Sequence, residues 1–238
     1  MIPGPATDVG KNLKEVRERI ARAASAAGRG VDEIQLIAVS KTFSAEAVLQ
    51  AMAAGQYSFG ENRVQEAEKK IGALAQSRGL HWHLIGHLQS NKARLAAQLF
   101  DVIHSVDSLR LAEKLSEAAV DGGKQVSILI QVDLAREATK YGANLSEARE
   151  ISDASPQLPG IRLDGLMILP PFFDDPEMTR SYFIRLRELR DELEAARPGC
   201  MGQRHLSMGM THDFEVAIAE GSTMVRIGTA VFGSRSYE

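Results

Sequence analysis

A chain of 238 residues, 44% hydrophobic and 25% charged, has the composition of a globular protein and the length of one large domain or two small ones. Its net charge of -3 gives no basic surplus for nucleic acid or an acidic membrane surface, and its one cysteine, Cys200, excludes an intrachain disulfide and fits a reducing compartment. No apolar run reaches the ~20 residues of a membrane span, and Met1-Ile2-Pro3-Gly4-Pro5 lacks a basic-then-apolar export pattern, so a cytoplasmic protein that binds neither membrane nor nucleic acid is expected.

After this Pro/Gly-rich lead, Leu13, Val16, Ile20, Ala23 and Ala27 keep the spacing of an amphipathic helix, which Gly28 and Gly30 end. Residues 34–39 are a nearly continuous apolar run, the pattern of a strand buried on both faces. Ser44 can cap a helix carrying Val48 and Met52 and ended by Gly55. A short strand near Tyr57-Ser58-Phe59 leads to a helix with Val64, Ala67, Ile71 and Leu74 on one face. Residues 80–85 read as a strand, 91–99 as part of a helix, and Val102-Ile103-His104 as a short strand. Asp107 can cap the helix of Leu111, Leu115 and Ala118. Residues 126–132 are the clearest central strand, and Asn144 with Glu147 three residues on resembles a capping box. A strand over 161–169, a long helix marked by Tyr182, Leu186, Leu189 and Leu193, and two further strand–helix units near 203–220 and from 223 onward complete the chain.

About eight strands alternating with helices argue for a parallel sheet with right-handed crossovers. The size suits a single α/β domain over residues 1–238, a (β/α)8 barrel of the TIM type with an extra N-terminal helix and no second domain. An open doubly wound sheet is the alternative. No linker or charge block divides the chain.

In such a barrel the site lies at the C-terminal ends of the strands. Lys41 closes the first strand, Ser207-Met208-Gly209-Met210-Thr211 follows the seventh, and Arg226-Ile227-Gly228-Thr229 ends the eighth. The last two loops are where these barrels commonly build phosphate sites, and residues 228–232 suit a short extra helix. Gly209 and Gly228 let backbone N–H groups approach an anion closely, and Ser207 and Thr229 add hydroxyl donors. One amine beside two anion cradles suits a phosphorylated aldehyde held as a Schiff base, a description that pyridoxal 5'-phosphate meets. Taken singly, a solvated strand-end lysine, ordinary turn glycines and an ion-paired Arg226 explain the same residues. Only their conjunction at one rim favours the cofactor.

Ala38-Val39-Ser40-Lys41-Thr42, Phe59-Gly60-Glu61-Asn62-Arg63-Val64-Gln65-Glu66, His81-Trp82-His83-Leu84-Ile85-Gly86, Gly165-Leu166-Met167, Leu206-Ser207-Met208-Gly209-Met210 and Val225-Arg226-Ile227-Gly228-Thr229 run in order over nearly the whole chain. In this ordered set the chain resembles the pyridoxal-phosphate homeostasis proteins (the YggS/PROSC family), whose barrel is similar to the N-terminal domain of alanine racemase. The resemblance implies pyridoxal-phosphate fold-type III. It implies Lys41 as the Schiff-base lysine, Ser207, Gly209, Gly228 and Thr229 around the phosphate, and Arg226 facing the pyridine nitrogen. It also implies Asn62 as a polar group on the cofactor side and Met167 near the ring. The chain departs from the family pattern at His87, at Lys140-Tyr141-Gly142 and at Leu169-Pro170-Pro171.

An arginine stays charged and disfavours protonation of the pyridine nitrogen, on which carbanion stabilisation depends. Alanine racemase adds a further domain with a tyrosine acting opposite the lysine, and none of Tyr57, Tyr141, Tyr182 and Tyr237 has an evident role of that kind. The expectation is a monomer, preferred over a homodimer, that holds pyridoxal phosphate on Lys41. It would buffer or deliver it to apo-enzymes in vitamin B6 homeostasis, with little or no turnover. One rival is a weak racemase or lyase on the same cofactor. Another is a metal-dependent barrel hydrolase built on His81, His83, His87, His205, His212 and Asp213, against which ordinary histidine hydrogen bonding is preferred, so that no metal is expected. A third is a non-catalytic interaction protein using the mixed-charge helix face of Arg180, Arg185, Arg187, Glu188, Arg190, Asp191, Glu192 and Glu194, which solvation explains as well.

Overall fold

Eight short runs become strands, the longer of them rich in apolar residues, and their order in space is their order in sequence. They are β1 (Gln35–Val39), β2 (Ser58–Glu61), β3 (His81–Leu84), β4 (Val102–Val106), β5 (Val126–Gln131), β6 (Ile161–Met167), β7 (His205–Ser207) and β8 (Met224–Ile227). The structure, a computed structural model, describes residues 8–135 and 141–233. Lys140, Tyr237 and the Pro/Gly lead lie outside the described residues. Every strand pairs in parallel with the next, and β8 returns to β1 in the register Gln35↔Met224 through Ala38↔Ile227. The result is a closed barrel, so the expected (β/α)8 architecture stands and the open sheet does not.

Alternate residues of each strand face the helices or the barrel interior. Outward residues such as Leu36, Ala38, Phe59, Ile103 and Val225 join the main apolar core beneath the helices. Inward ones form a separate cluster of Ile37, Leu129, Met167 and Met224, drawn from four different strands. Removing either set from water stabilises the fold by roughly 1.5–3 kcal/mol for each large side chain.

The helices follow the expected apolar spacing. α1 (Val9–Ala26) buries Leu13, Val16 and Ile20 and ends at Ala27, with Gly28 at a positive φ of 67°. It lies across the β8–β1 seam, where Asn12 donates to the Val231 carbonyl and Arg17 to that of Ala54. α2 (Ala45–Ala53) starts after Ser44, which stands at the cap position without bonding a helix N–H. α3 (Val64–Ala73), α4 (Ala93–Leu99), α5 (Leu109–Asp121), α6 (Leu145–Ala154), α7 (Arg180–Ala196) and α8 (Phe214–Ala219) complete the ring, with α9 (Thr229–Phe232) as the short extra helix after β8.

Asn144 and Glu147 form the anticipated capping box, the asparagine oxygen accepting from Ser146 and Glu147 N–H. At α5 the expectation is corrected. Ser108, not Asp107, occupies the cap, and Asp107 turns instead to His87, 3.4 Å away. Among the described residues no helix is long and apolar enough to cross a membrane.

Candidate functional site

Parity along β1 decides where Lys41 goes. Ile37 faces the interior and Val39 shares its side, so Lys41 two residues on continues that side just past the strand end, half-buried. Asn62, half-buried, holds the matching place after β2, where its backbone leaves no room for a Cβ on Gly86. Across the seam, Gly228 packs so that a Cβ there would lie 3.3 Å from the Val39 carbonyl. Thr229 is exposed at the start of α9, where the Val231 and Phe232 N–H groups donate back to the Gly228 carbonyl. Gly209 has φ of 93°, and a Cβ would meet the Phe214 Cα at 2.9 Å and the Ala217 Cβ at 2.7 Å. The β7 loop is thereby pressed onto the start of α8, and its Gly209 carbonyl accepts from Arg226 N–H. Lys41, Asn62, Gly209, Gly228 and Thr229 thus share the C-terminal rim of the barrel.

Arg226 lies below them, 3% exposed on the inward face of β8. Its Nη1 donates to Ser207 Oγ at 2.5 Å and its Nη2 to the Ile168 carbonyl at 2.8 Å, both neutral acceptors. Burial lowers its pKa to about 10, with the nearby Asp213 carboxylate pulling the other way. The guanidinium remains a cation at neutral pH. Ser207, expected at the phosphate, instead has its hydroxyl engaged in this interior contact. Met167 is fully buried in the inner apolar cluster.

The chain of contacts continues through two histidines. His104 Nδ1 meets Ser207 Oγ at 2.8 Å, and His104 Nε2 meets His83 Nδ1 at 3.0 Å. Arg226, Ser207, His104 and His83 thus form one continuous line of polar contacts that ends at His83 Nε2. That last atom is buried without a partner among the described residues and borders a cavity of about 230 Å³ at the N-terminal mouth. Burial holds both rings neutral, lowering His83 from 6.5 to about 3 and His104 well below its ordinary value. Sequence reading passed over His104, whose only signal was a polar residue inside an apolar strand.

Of the histidines weighed as metal ligands, His81, His83 and His205 line the same N-terminal cavity, whereas His87 stacks on Tyr141 with ring centroids 3.6 Å apart and His212 faces the carbonyls of Phe173 and Asp174. Among the described residues no group of three His, Cys, Asp or Glu side chains is placed to hold a metal ion. Tyr57 opens β2 at the far end of the barrel, and Tyr182 packs on Phe173 along α7.

A parallel barrel with a lysine past strand one, an arginine inside strand eight and glycines after strands seven and eight belongs to the alanine racemase N-terminal class, whose family model matches residues 12–236. A protein of Aquifex aeolicus named pyridoxal phosphate homeostasis protein is 43% identical over 227 residues, covering 95% of this chain and 98% of its own. One of the same name from Escherichia coli K12 is 44% identical over 236 residues, covering 97% and 98%. The chain belongs to the pyridoxal phosphate homeostasis family. PipY of Synechococcus elongatus PCC7942, solved with pyridoxal phosphate bound, is 39% identical with a TM-score of 0.84, covering 94% of this chain and all of its own. Alanine racemase of Clostridium difficile 630 shares the fold at 18% identity and a TM-score of 0.71, with 58% of its length matched.

Proposed function

We propose that this chain binds pyridoxal 5'-phosphate on Lys41 and serves vitamin B6 homeostasis, buffering the cofactor and handing it to apo-enzymes with little or no turnover of its own. The carrying observation is the seam between β8 and β1, where the Gly228 turn abuts Val39, two residues before Lys41. The turn that carries Lys41 and the turn at Gly228 are thereby neighbours, which supports the reading. PipY, 39% identical and solved with the cofactor bound, supports the same reading.

Bound there, pyridoxal phosphate supplies an aldehyde that condenses with an amine and a ring that stabilises carbanions when its nitrogen is protonated. Lys41 gives the amine, which must be neutral to attack. Backbone N–H groups around Gly209 and Gly228, with the Thr229 hydroxyl, hold the phosphate. Asn62 contacts the cofactor side of the rim, and Met167 closes the floor. Arg226 would face the ring nitrogen and, as a cation, would keep a proton off it. Ser207 acts on Arg226, fixing the guanidinium rather than the phosphate. An arginine in that place suits a carrier better than a racemase. The protein is read as a cytoplasmic monomer, in keeping with its single buried cysteine.

The test is the visible spectrum of purified protein mixed with pyridoxal phosphate. Wild type is expected to show a violet band that borohydride removes while leaving a stable adduct, and Lys41→Ala to show neither. A colourless wild type sinks the reading. Exchange of amino-acid α-hydrogens for solvent deuterium at enzymatic rates would transfer it to the racemase or lyase alternative.

A further inference from the structure

The turn that carries Lys41 is gripped from the helix side of the barrel. Ser40, fully buried, faces outward and donates from Oγ to Glu61 Oε1 at 2.6 Å. The Lys70 ammonium of α3, almost wholly buried, donates to the Ser40 carbonyl at 2.7 Å and to the same Glu61 oxygen at 2.5 Å. On the other side of Lys41, Thr42 N–H donates to Glu66 Oε1 at 2.5 Å, and Glu66 lies 3.5 Å from the Lys70 ammonium. A single ionic group of β2 and α3 therefore holds the residue before Lys41 and the residue after it.

Thr42 is held at φ of 68°, a left-handed conformation that β-branched residues rarely adopt. Strain of this kind persists only where the surroundings over-determine it. The Glu66 bond supplies one constraint, the Phe43 N–H to Ser40 carbonyl bond a second, and the Phe43 ring packed 4.9 Å from Phe232 of α9 a third. The lysine turn is thus tied to α3 on one side and to the proposed phosphate helix on the other.

A buried ion pair is a costly way to obtain stability, since desolvation offsets most of the attraction. Its worth here is direction. The hydrogen bonds this ionic group makes with Ser40 and Thr42 fix where the Lys41 side chain leaves the backbone. We infer that Glu61, Lys70 and Glu66 are positioning residues that set the reach of the Lys41 amine toward the aldehyde. The inference rests on the Lys41 reading above.

Two probes separate positioning from general stability. Pyridoxal phosphate needs both the cradle and the amine, whereas deoxypyridoxine phosphate, lacking the aldehyde, needs only the cradle. Glu66→Ala and Lys70→Met should weaken pyridoxal phosphate by about tenfold, the scale of one charge-assisted hydrogen bond, and leave deoxypyridoxine phosphate at wild-type affinity. Glu66→Gln, which keeps an acceptor for Thr42 N–H, should restore wild-type affinity for both. Parallel loss of both probes, or no loss in Glu66→Ala, overturns the inference. If Lys70→Met does not fold, leaving Glu61 buried alone, the partly exposed Glu66 decides. A wild type that takes up neither probe is a different outcome, and removes the Lys41 reading itself.

Discussion

Arg226 orders the barrel interior because a guanidinium has donors and no acceptor. Its bond to Ser207 begins a line of contacts that runs on through His104 to His83, joining β8, β7, β4 and β3. Both rings are held neutral by burial, so acid works against the fold. A histidine with its folded pKa below 6.5 contributes stability that is full above that pH and is lost as pH falls toward its folded value, about 3 for His83. The loss reaches ~1.4 kcal/mol per pH unit for each such ring. Denaturant titrations between pH 7 and about 4 should show this slope in wild type, and His83→Gln should flatten it by up to that amount. Glu61, Asp107 and Asp213, raised by burial, act with the opposite sign, favouring the fold below their ordinary values and losing that favour as pH rises through the folded ones. At Gly209 a side chain meets both the positive φ and the Phe214 backbone. Gly209→Ala should cost about 2–4 kcal/mol by strain and overpacking, read as a lower denaturation midpoint, and weaken cofactor binding with it.

At the scale of elements, strands and helices were legible because burial on both faces of a parallel sheet writes itself as apolar runs, and helix packing as three-and-four spacing. The capping box at Asn144 followed from local chemistry, and the short helix over 229–232 from the architecture of such barrels. The cap at α5 did not, since Asp107 and Ser108 are both good caps and the choice went to tertiary contact: Asp107 faces His87. His87 and Tyr141, both departures from the family pattern, prove to be one feature, two rings stacked within 10° of parallel. Their coupling is a long-range contact that no local pattern carries. Lys70 stands one place from Ile71 on the apolar stripe of α3, and a lysine there was a readable sign of a buried partner. The partner, Glu61, sits on a strand, and only the fold joins them. Likewise the rim position of the phosphate loops was legible from barrel topology, while Ser207 turned inward because Arg226 needs an acceptor.

Considered whole, the molecule keeps its apolar mass between barrel and helices and gives the barrel interior to a mixed polar and apolar filling. Anything that binds the native state alone raises its stability by RT ln(1 + [L]/Kd), about 2.7 kcal/mol at a hundredfold excess over Kd. Pyridoxal phosphate at that excess should raise the melting temperature by several degrees. Lys41→Ala should retain only the part of the shift that the phosphate cradle supplies, measured by scanning fluorimetry.

The β8–β1 seam has a temporal meaning as well as a spatial one. On the proposed reading the amine comes from the turn after the first strand and the anion cradle from the turns after the last two, so the two halves of the site are strangers until the ring closes. A nascent chain on the ribosome has its reactive lysine early and its anchor last. A cofactor held by both would act as a clasp across the junction that joins the beginning of the fold to its end.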